Sequence, residues 1–161
     1  MTEGTDPATM RTVLGHFPSG VTIVTGMRSE GPAGFTCQSF SSLSLDPPLI
    51  VVLPSRSSTS WPPIRDTGRF CVNVLAADQG ELSTQFARSG ADKFAGVSWT
   101  PSGLGSPILS GATAWVDCTL HAVHEGGDHL IVVGAVHDLA AHTGSPPLVF
   151  HRGSYTGTSA G

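Results

Sequence analysis

The sequence predicts a mainly β protein, an antiparallel barrel with a few short helices. Three observations carry that reading. Six or so short runs are rich in β-branched and aromatic residues, and clusters of Gly, Pro, Asp and Ser separate them. Helical spacing is confined to brief stretches between those runs. Closing such a set of antiparallel strands leaves no long edge exposed.

Taken in order, Met10, Val13, Leu14 and Phe17 sit at i, i+3, i+4 and i+7, which predicts an amphipathic helix over residues 9–17. Asp6-Pro7 starts it and Pro18-Ser19-Gly20 ends it. The β-branched residues 21–25 form a strand, a turn follows at 30–34, and 34–40 returns antiparallel. Leu43-Ser44-Leu45 leads through Asp46-Pro47-Pro48 into a buried strand at 49–53. After the polar loop 55–60 comes Trp61-Pro62-Pro63. A residue before proline avoids the α region, so the next helix is expected from Pro63 to near Gly68. Residues 69–75 form a strand and 79–87 a short helix, with Leu82 and Phe86 on one face. The stretch 90–107 reads as irregular. Long strands at 109–123 and 129–139 are joined by a turn at 124–128, and 147–151 is the last strand before a loose tail. Residues 1–161 read as a single domain with a core at about 10–157, without internal repeats.

Composition narrows the function. Only 12% of residues are charged, against roughly 25% in typical globular chains. No apolar run approaches the ~20 residues of a spanning helix, so no membrane is expected. A net charge of −4 argues against a nucleic-acid surface. Cys37, Cys71 and Cys118 include no C-x-x-C pair and suggest neither a disulfide framework nor a thiolate zinc site. Residues 1–10 lack the basic and apolar regions of a signal peptide, which makes the cytoplasm the expected compartment. A surface this poor in ions also suits a chain that hides area against a second copy of itself.

Three polar clusters beside apolar strands could carry chemistry. Gly34-Phe35-Thr36-Cys37-Gln38-Ser39-Phe40-Ser41-Ser42-Leu43-Ser44 is mostly small or polar, where a structural strand gains from Val and Ile. It suits a flat polar ligand approaching hydroxyls and backbone; an exposed edge strand is the other reading. Ser55-Arg56-Ser57-Ser58-Thr59-Ser60 offers hydroxyls, backbone N–H groups and one cation, a phosphate cradle or else a flexible linker. Gly126-Gly127-Asp128-His129 makes a hairpin tip, with a carboxylate able to orient an imidazole or simply solvated. The seven histidines do not cluster: His121 and His124 fall on opposite strand faces, and no metal is expected. No Gly-x-Ser-x-Gly elbow is present, and nothing near Cys37 marks it as a nucleophile.

In their order these segments resemble a known family. The stretches are Phe17-Pro18-Ser19-Gly20-Val21, Gly34-Phe35-Thr36-Cys37-Gln38-Ser39-Phe40, Ser44-Leu45-Asp46-Pro47-Pro48-Leu49 and Gly68-Arg69-Phe70-Cys71-Val72-Asn73-Val74-Leu75. Asp92-Lys93-Phe94, Gly127-Asp128-His129 and Pro147-Leu148-Val149-Phe150 with Gly153-Ser154-Tyr155 complete the set. Together they look like the short-chain flavin reductases that serve two-component flavin-dependent monooxygenases. Asp92-Lys93-Phe94-Ala95-Gly96 and Arg152-Gly153-Ser154-Tyr155-Thr156-Gly157 look like the subgroup serving steroid-degrading seconandrostatriene-dione monooxygenases of actinobacteria, and reductases of antibiotic biosynthesis look similar.

The resemblance implies an FMN-binding split β-barrel of Greek-key type, a homodimer, in which NADH or NADPH reduces FMN or FAD for a separate monooxygenase. By position it implies that Thr36, Cys37, Gln38, Ser39 and Ser42 line the flavin ring and ribityl chain, with Ser19 nearby. Ser58 and Ser60 would hold phosphate beside Lys93, near the dimer interface. His129, as the catalytic residue, would bound the nicotinamide with Asp128, Arg152 and Tyr155. Many relatives carry Lys where this chain has Arg56, and the Pro62-Pro63 pair is unusual. A flavin oxidase of the pyridoxamine-phosphate-oxidase type is the alternative, although it calls for more than 8 basic residues. A non-catalytic flavin- or haem-binding split-barrel domain is another.

Overall fold

The computed structural model describes residues 4–90 and 92–157. The chain is mainly β. Helix α1 (Pro7–Leu14) is capped by the Asp6 carboxylate, which accepts from Thr9 N–H at 3.0 Å, with Pro7 at the first position. It ends earlier than the apolar spacing predicts, at Gly15, and none of its residues is buried. A two-residue strand β1 (Ser19–Gly20) precedes the hairpin β2 (Thr22–Arg28) and β3 (Gly31–Cys37). After Gln38-Ser39 come β4 (Phe40–Leu45) and β5 (Pro48–Val52), joined through a cis Asp46–Pro47 bond.

Helix α2 (Trp61–Thr67) starts two residues before the expected Pro63. Trp61 N–H reaches Ser58 Oγ at 3.2 Å, and the indole is buried edge-on against Phe35 and Phe70. Burying so large a ring outweighs the backbone preference of a residue before proline. The two prolines occupy first-turn positions, whose N–H groups have no intrahelical partner.

Strand β6 (Arg69–Val74) and helix α3 (Gly80–Ala87) follow where the sequence places them. The stretch read as irregular holds two short paired strands, β7 (Trp99–Pro101) and β8 (Pro107–Leu109). Asn73 pins β8: its Oδ1 accepts from Leu109 N–H at 2.9 Å. The long strand expected from 109 therefore begins later, as β9 (Ala114–Gly126), after a turn with Gly111 at positive φ. Strand β10 (His129–Ala141) pairs with β9 along its length, with register shifts at Val133/Gly134 and Val136/Asp138. At Gly134 an added Cβ would lie 2.7 Å from the Phe70 ring, so only glycine allows that approach. Strands β11 (Leu148–His151) and β12 (Ser154–Gly157) close the described chain. The tail expected to be loose thus contains a strand, and residues 158–161 lie outside the described residues.

The principal sheet has seven strands in the order β3-β2-β6-β9-β10-β5-β4, all neighbours antiparallel. It is not a closed barrel. Among the described residues β3 and β4, consecutive in the chain, are its two unpaired ends. The Ser39 carbonyl accepts from Leu53 N–H at 3.1 Å, which continues the ladder beside β5 instead of turning β4 back onto β3. The main core lies within this sheet, around Val24, Phe35, Val52, Trp61, Phe70 and Val132. A second cluster, with Phe86, Leu109 and Leu148, sits under α3. Cys71 and Cys118 belong to the buried interior, where burial pushes both thiols far above their usual range.

Candidate functional site

A cleft of about 550 Å³ opens where the β3–β4 link, the loop after β5, the end of α3 and the tip of β10 meet. Eight residues singled out from the sequence line it: Thr36, Cys37, Gln38, Ser39, Ser58, Ser60, Lys93 and His129. The fold explains the convergence. Gln38-Ser39 bridges the two unpaired ends of the sheet, and Ser58 and Ser60 precede α2 on the facing side.

Most of the hydroxyls already have partners that fix their positions. Thr36 Oγ1 donates to Ser83 O at 2.6 Å and ties β3 to α3. Ser39 Oγ donates to Leu53 O at 3.1 Å, and Ser58 Oγ accepts from Trp61 N–H. Cys37 is buried, and its Sγ lies 3.4 Å from Ser39 Oγ. Lys93 Nζ donates to Ser60 Oγ at 2.9 Å and to Gly34 O at 3.2 Å. Partial burial lowers its pKa from the ordinary lysine value. The side chains of Gln38, Thr59 and Arg88 make no hydrogen bond among the described residues and remain available to a ligand. The lining holds Lys93, Arg88 and His129 and no carboxylate, in a chain of net charge −4.

At the tip, the Asp128 carboxylate lies 2.8 Å from His129 Nδ1. That hydrogen bond holds Asp128 below the usual carboxylate range. Asp128 itself points to solvent and orients the imidazole without lining the cleft.

Other expected residues lie elsewhere. Ser19 lines an adjoining apolar hollow of about 480 Å³ that shares Gln38 and Ser39 with the cleft. Ser42 is exposed on β4 opposite Ile50 and lies outside the cleft. Arg152 and Tyr155 are not brought to His129. Arg152 sits at φ 50 in the β11–β12 turn, its N–H bonded to Gly15 O. Tyr155 bonds Ser83 Oγ at 2.7 Å and borders a separate hollow on the outer face of α3. The β12 strand folds back on β11 and so holds both away from the β9–β10 tip. Arg56 is also absent from the lining, since its guanidinium bonds Gly127 O and Glu125. Thr59 belongs to the loop read as a phosphate cradle, whereas Arg88 at the end of α3 was not singled out from the sequence. The scarcity of charge that singled out Lys93 would have singled out Arg88 too.

An acid-free cleft with hydroxyls, a side-chain amide and the basic groups of Lys93 and Arg88 suits a flat, mostly neutral ring carrying an anionic phosphate. Its volume falls in the range of ordinary cofactor sites, roughly 300–1,000 Å³. The profile of the flavin reductase like domain matches residues 14–159, nearly the whole chain.

The chain belongs to the flavin reductase family. The reductase subunit HsaB of a flavin-dependent monooxygenase from Mycobacterium tuberculosis is 50% identical over 154 residues, covering 94% of this chain and 82% of that protein. The solved structure of a nitrilotriacetate monooxygenase component B homologue from Mycobacterium thermoresistibile superposes with a TM-score of 0.94 at 50% identity, over 98% of this chain and 89% of that one. The NADH:FAD oxidoreductase SgcE6 of Streptomyces globisporus, solved with NAD and FAD fragments, superposes on this flavin reductase with a TM-score of 0.93 at 32% identity, over 99% and 97% of the two chains.

Proposed function

We propose that this flavin reductase uses NADH or NADPH to reduce FMN or FAD and delivers the reduced flavin to a separate monooxygenase. The observation that carries the reading is the acid-free cleft at the gap between β3 and β4, where hydroxyls, Lys93 and Arg88 converge. The names of two relatives support its flavin and NADH parts: an FMN reductase (NADH) from Agrobacterium fabrum and the NADH:FAD oxidoreductase SgcE6.

Thr36, Cys37, Gln38 and Ser39 would hold the flavin ring and ribityl chain, and Ser58, Ser60 and Lys93 its phosphate. Bound flavin supplies the hydride acceptor, so no side-chain acid or base is required for that transfer. What the protein contributes is proximity and orientation. His129, steadied by Asp128, positions the nicotinamide against the cleft.

The open sheet, in this reading, is one half-closed wall of a split β-barrel, working as a single domain over residues 1–161 in the cytoplasm. A second copy covers the apolar residues left exposed, among them Phe17, Leu43, Leu45 and Leu139. No helix of the described residues is long and apolar enough to cross a membrane.

Titrating the protein into FMN and FAD tests the binding step. Saturable quenching of flavin fluorescence at micromolar protein is expected for at least one of them. Absence of saturable quenching with both overturns the assignment of the cleft.

A further inference from the structure

Arg56 lies in the loop read as a phosphate cradle or else a linker, and its guanidinium faces away from the cleft. Its Nε donates to Gly127 O at 2.7 Å, and its terminal NH2 lies 2.8 Å from Glu125 Oε2. Its backbone N–H donates to Asp128 O at 2.9 Å. Two residues earlier, Pro54 O accepts from Leu130 N–H at 2.9 Å, and Ser55 bridges to His129. Residues 54–56 thus run as a short ladder beside residues 128–130.

We propose that Arg56 is a positioning residue for the nicotinamide, clamping the β9–β10 tip so that His129 stays at the cleft. The inference rests on the function proposed above and adds a residue to it. His129 directly follows Gly127-Asp128, and Gly127 takes positive φ at the turn. Glu125 and Asp128 are highly exposed, at 86% and 97%, so the tip has little packing of its own to hold it. A guanidinium fork reaches both Glu125 on one arm and the Gly127 carbonyl at the turn. A lysine ammonium is a single point of attachment and does not reproduce two diverging bonds. The exposed ion pair to Glu125 contributes little by itself; the charge-assisted bond to the Gly127 carbonyl is the part that fixes the backbone. The ionisable groups at the tip are His124, Glu125, Asp128, His129 and Arg56, and the Asp128 contact to His129 depends on the backbone that Arg56 holds.

The test compares Arg56→Met and Arg56→Lys with the wild type in three readouts: KM and kcat for NADH, flavin affinity by fluorescence, and hydrogen exchange of the Leu130 amide. Arg56→Met is expected to raise KM for NADH by about three- to tenfold, with kcat and flavin affinity changed by less than about twofold. Arg56→Lys falls between the two, and the Leu130 amide exchanges faster in both variants. A fall in flavin affinity with KM for NADH unchanged returns Arg56 to the phosphate and overturns the proposal. So does the absence of change in all three. If the wild type itself shows no nicotinamide-dependent turnover, the proposed function fails instead, and unchanged Leu130 exchange then rejects the clamp separately.

Discussion

Lys93 shows what a single residue does in this cleft. Its ammonium has three donors, and two are given to Ser60 Oγ and the Gly34 carbonyl, which leaves one for a ligand. Lys93→Met removes that donor and its charge, so flavin affinity should fall by about tenfold, with a smaller loss for riboflavin, which lacks phosphate. His129→Ala should do the opposite, raising KM for NADH while flavin affinity holds. Equal loss of flavin affinity in both variants contradicts the division of roles. These two residues were legible in the sequence because ions are scarce and the Gly-Asp-His tip is distinctive. The direction taken by Arg56 was not, since its partner Gly127 lies 71 residues away and only the packed tip reveals it. Ser42 lies on β4, beyond Ser39 and the residues before it that line the cleft, a distance the hydroxyl-rich run does not reveal.

At the scale of elements, the β-branched runs fixed β2, β5, β6 and β10 to within a few residues, because burial and alternation leave a local signature. The start of α2 was not legible, since it depends on where the Trp61 ring finds Phe35 and Phe70. Strands β7 and β8 escaped notice because each spans three residues and is held by tertiary contacts such as the Asn73 bond. Strand β9 carries its own testable feature. Asp117 is fully buried; its Oδ2 accepts from Leu104 N–H at 3.2 Å and its Oδ1 has no partner among the described residues.

Burial pushes the Asp117 carboxyl above its ordinary value, opposed by hydrogen bonding from Ser102 and the Leu104 N–H and by His137, while Asp138 opposite it on β10 adds to the rise. A raised folded-state value means that the native protein keeps this proton in a pH window where the unfolded chain has lost it. Stability therefore falls as pH rises through that window, and the deficit persists at neutral pH. Asp117→Asn keeps an acceptor for Leu104 and removes the charge. Its Tm at neutral pH is expected to equal or exceed that of the wild type, with less change between mildly acidic and neutral pH. A stability loss of about 3 kcal/mol or more at neutral pH, measured by denaturant unfolding, contradicts this and marks the carboxylate as well paired.

For the whole molecule, a chain with 12% charged residues leaves Leu45 93% exposed and Phe17 83% exposed. Strand β4, which carries Leu43 and Leu45, is an end strand of the sheet. Such a face is costly in a monomer, and the second copy proposed above would remove it from water. Sedimentation should give a dimer at micromolar concentration, and Leu45→Asp should weaken it by at least about tenfold. A wild type that stays monomeric across the concentration range contradicts that assembly. The same poverty of ions goes with a cleft that has no carboxylate, which suits the proposed flavin. Anaerobic mixing of catalytic protein with excess FMN or FAD and NADH or NADPH tests it most directly. Many flavin molecules should be reduced per protein, at a rate proportional to protein concentration. Nicotinamide oxidation that stays at the protein-free rate with every pairing would contradict it.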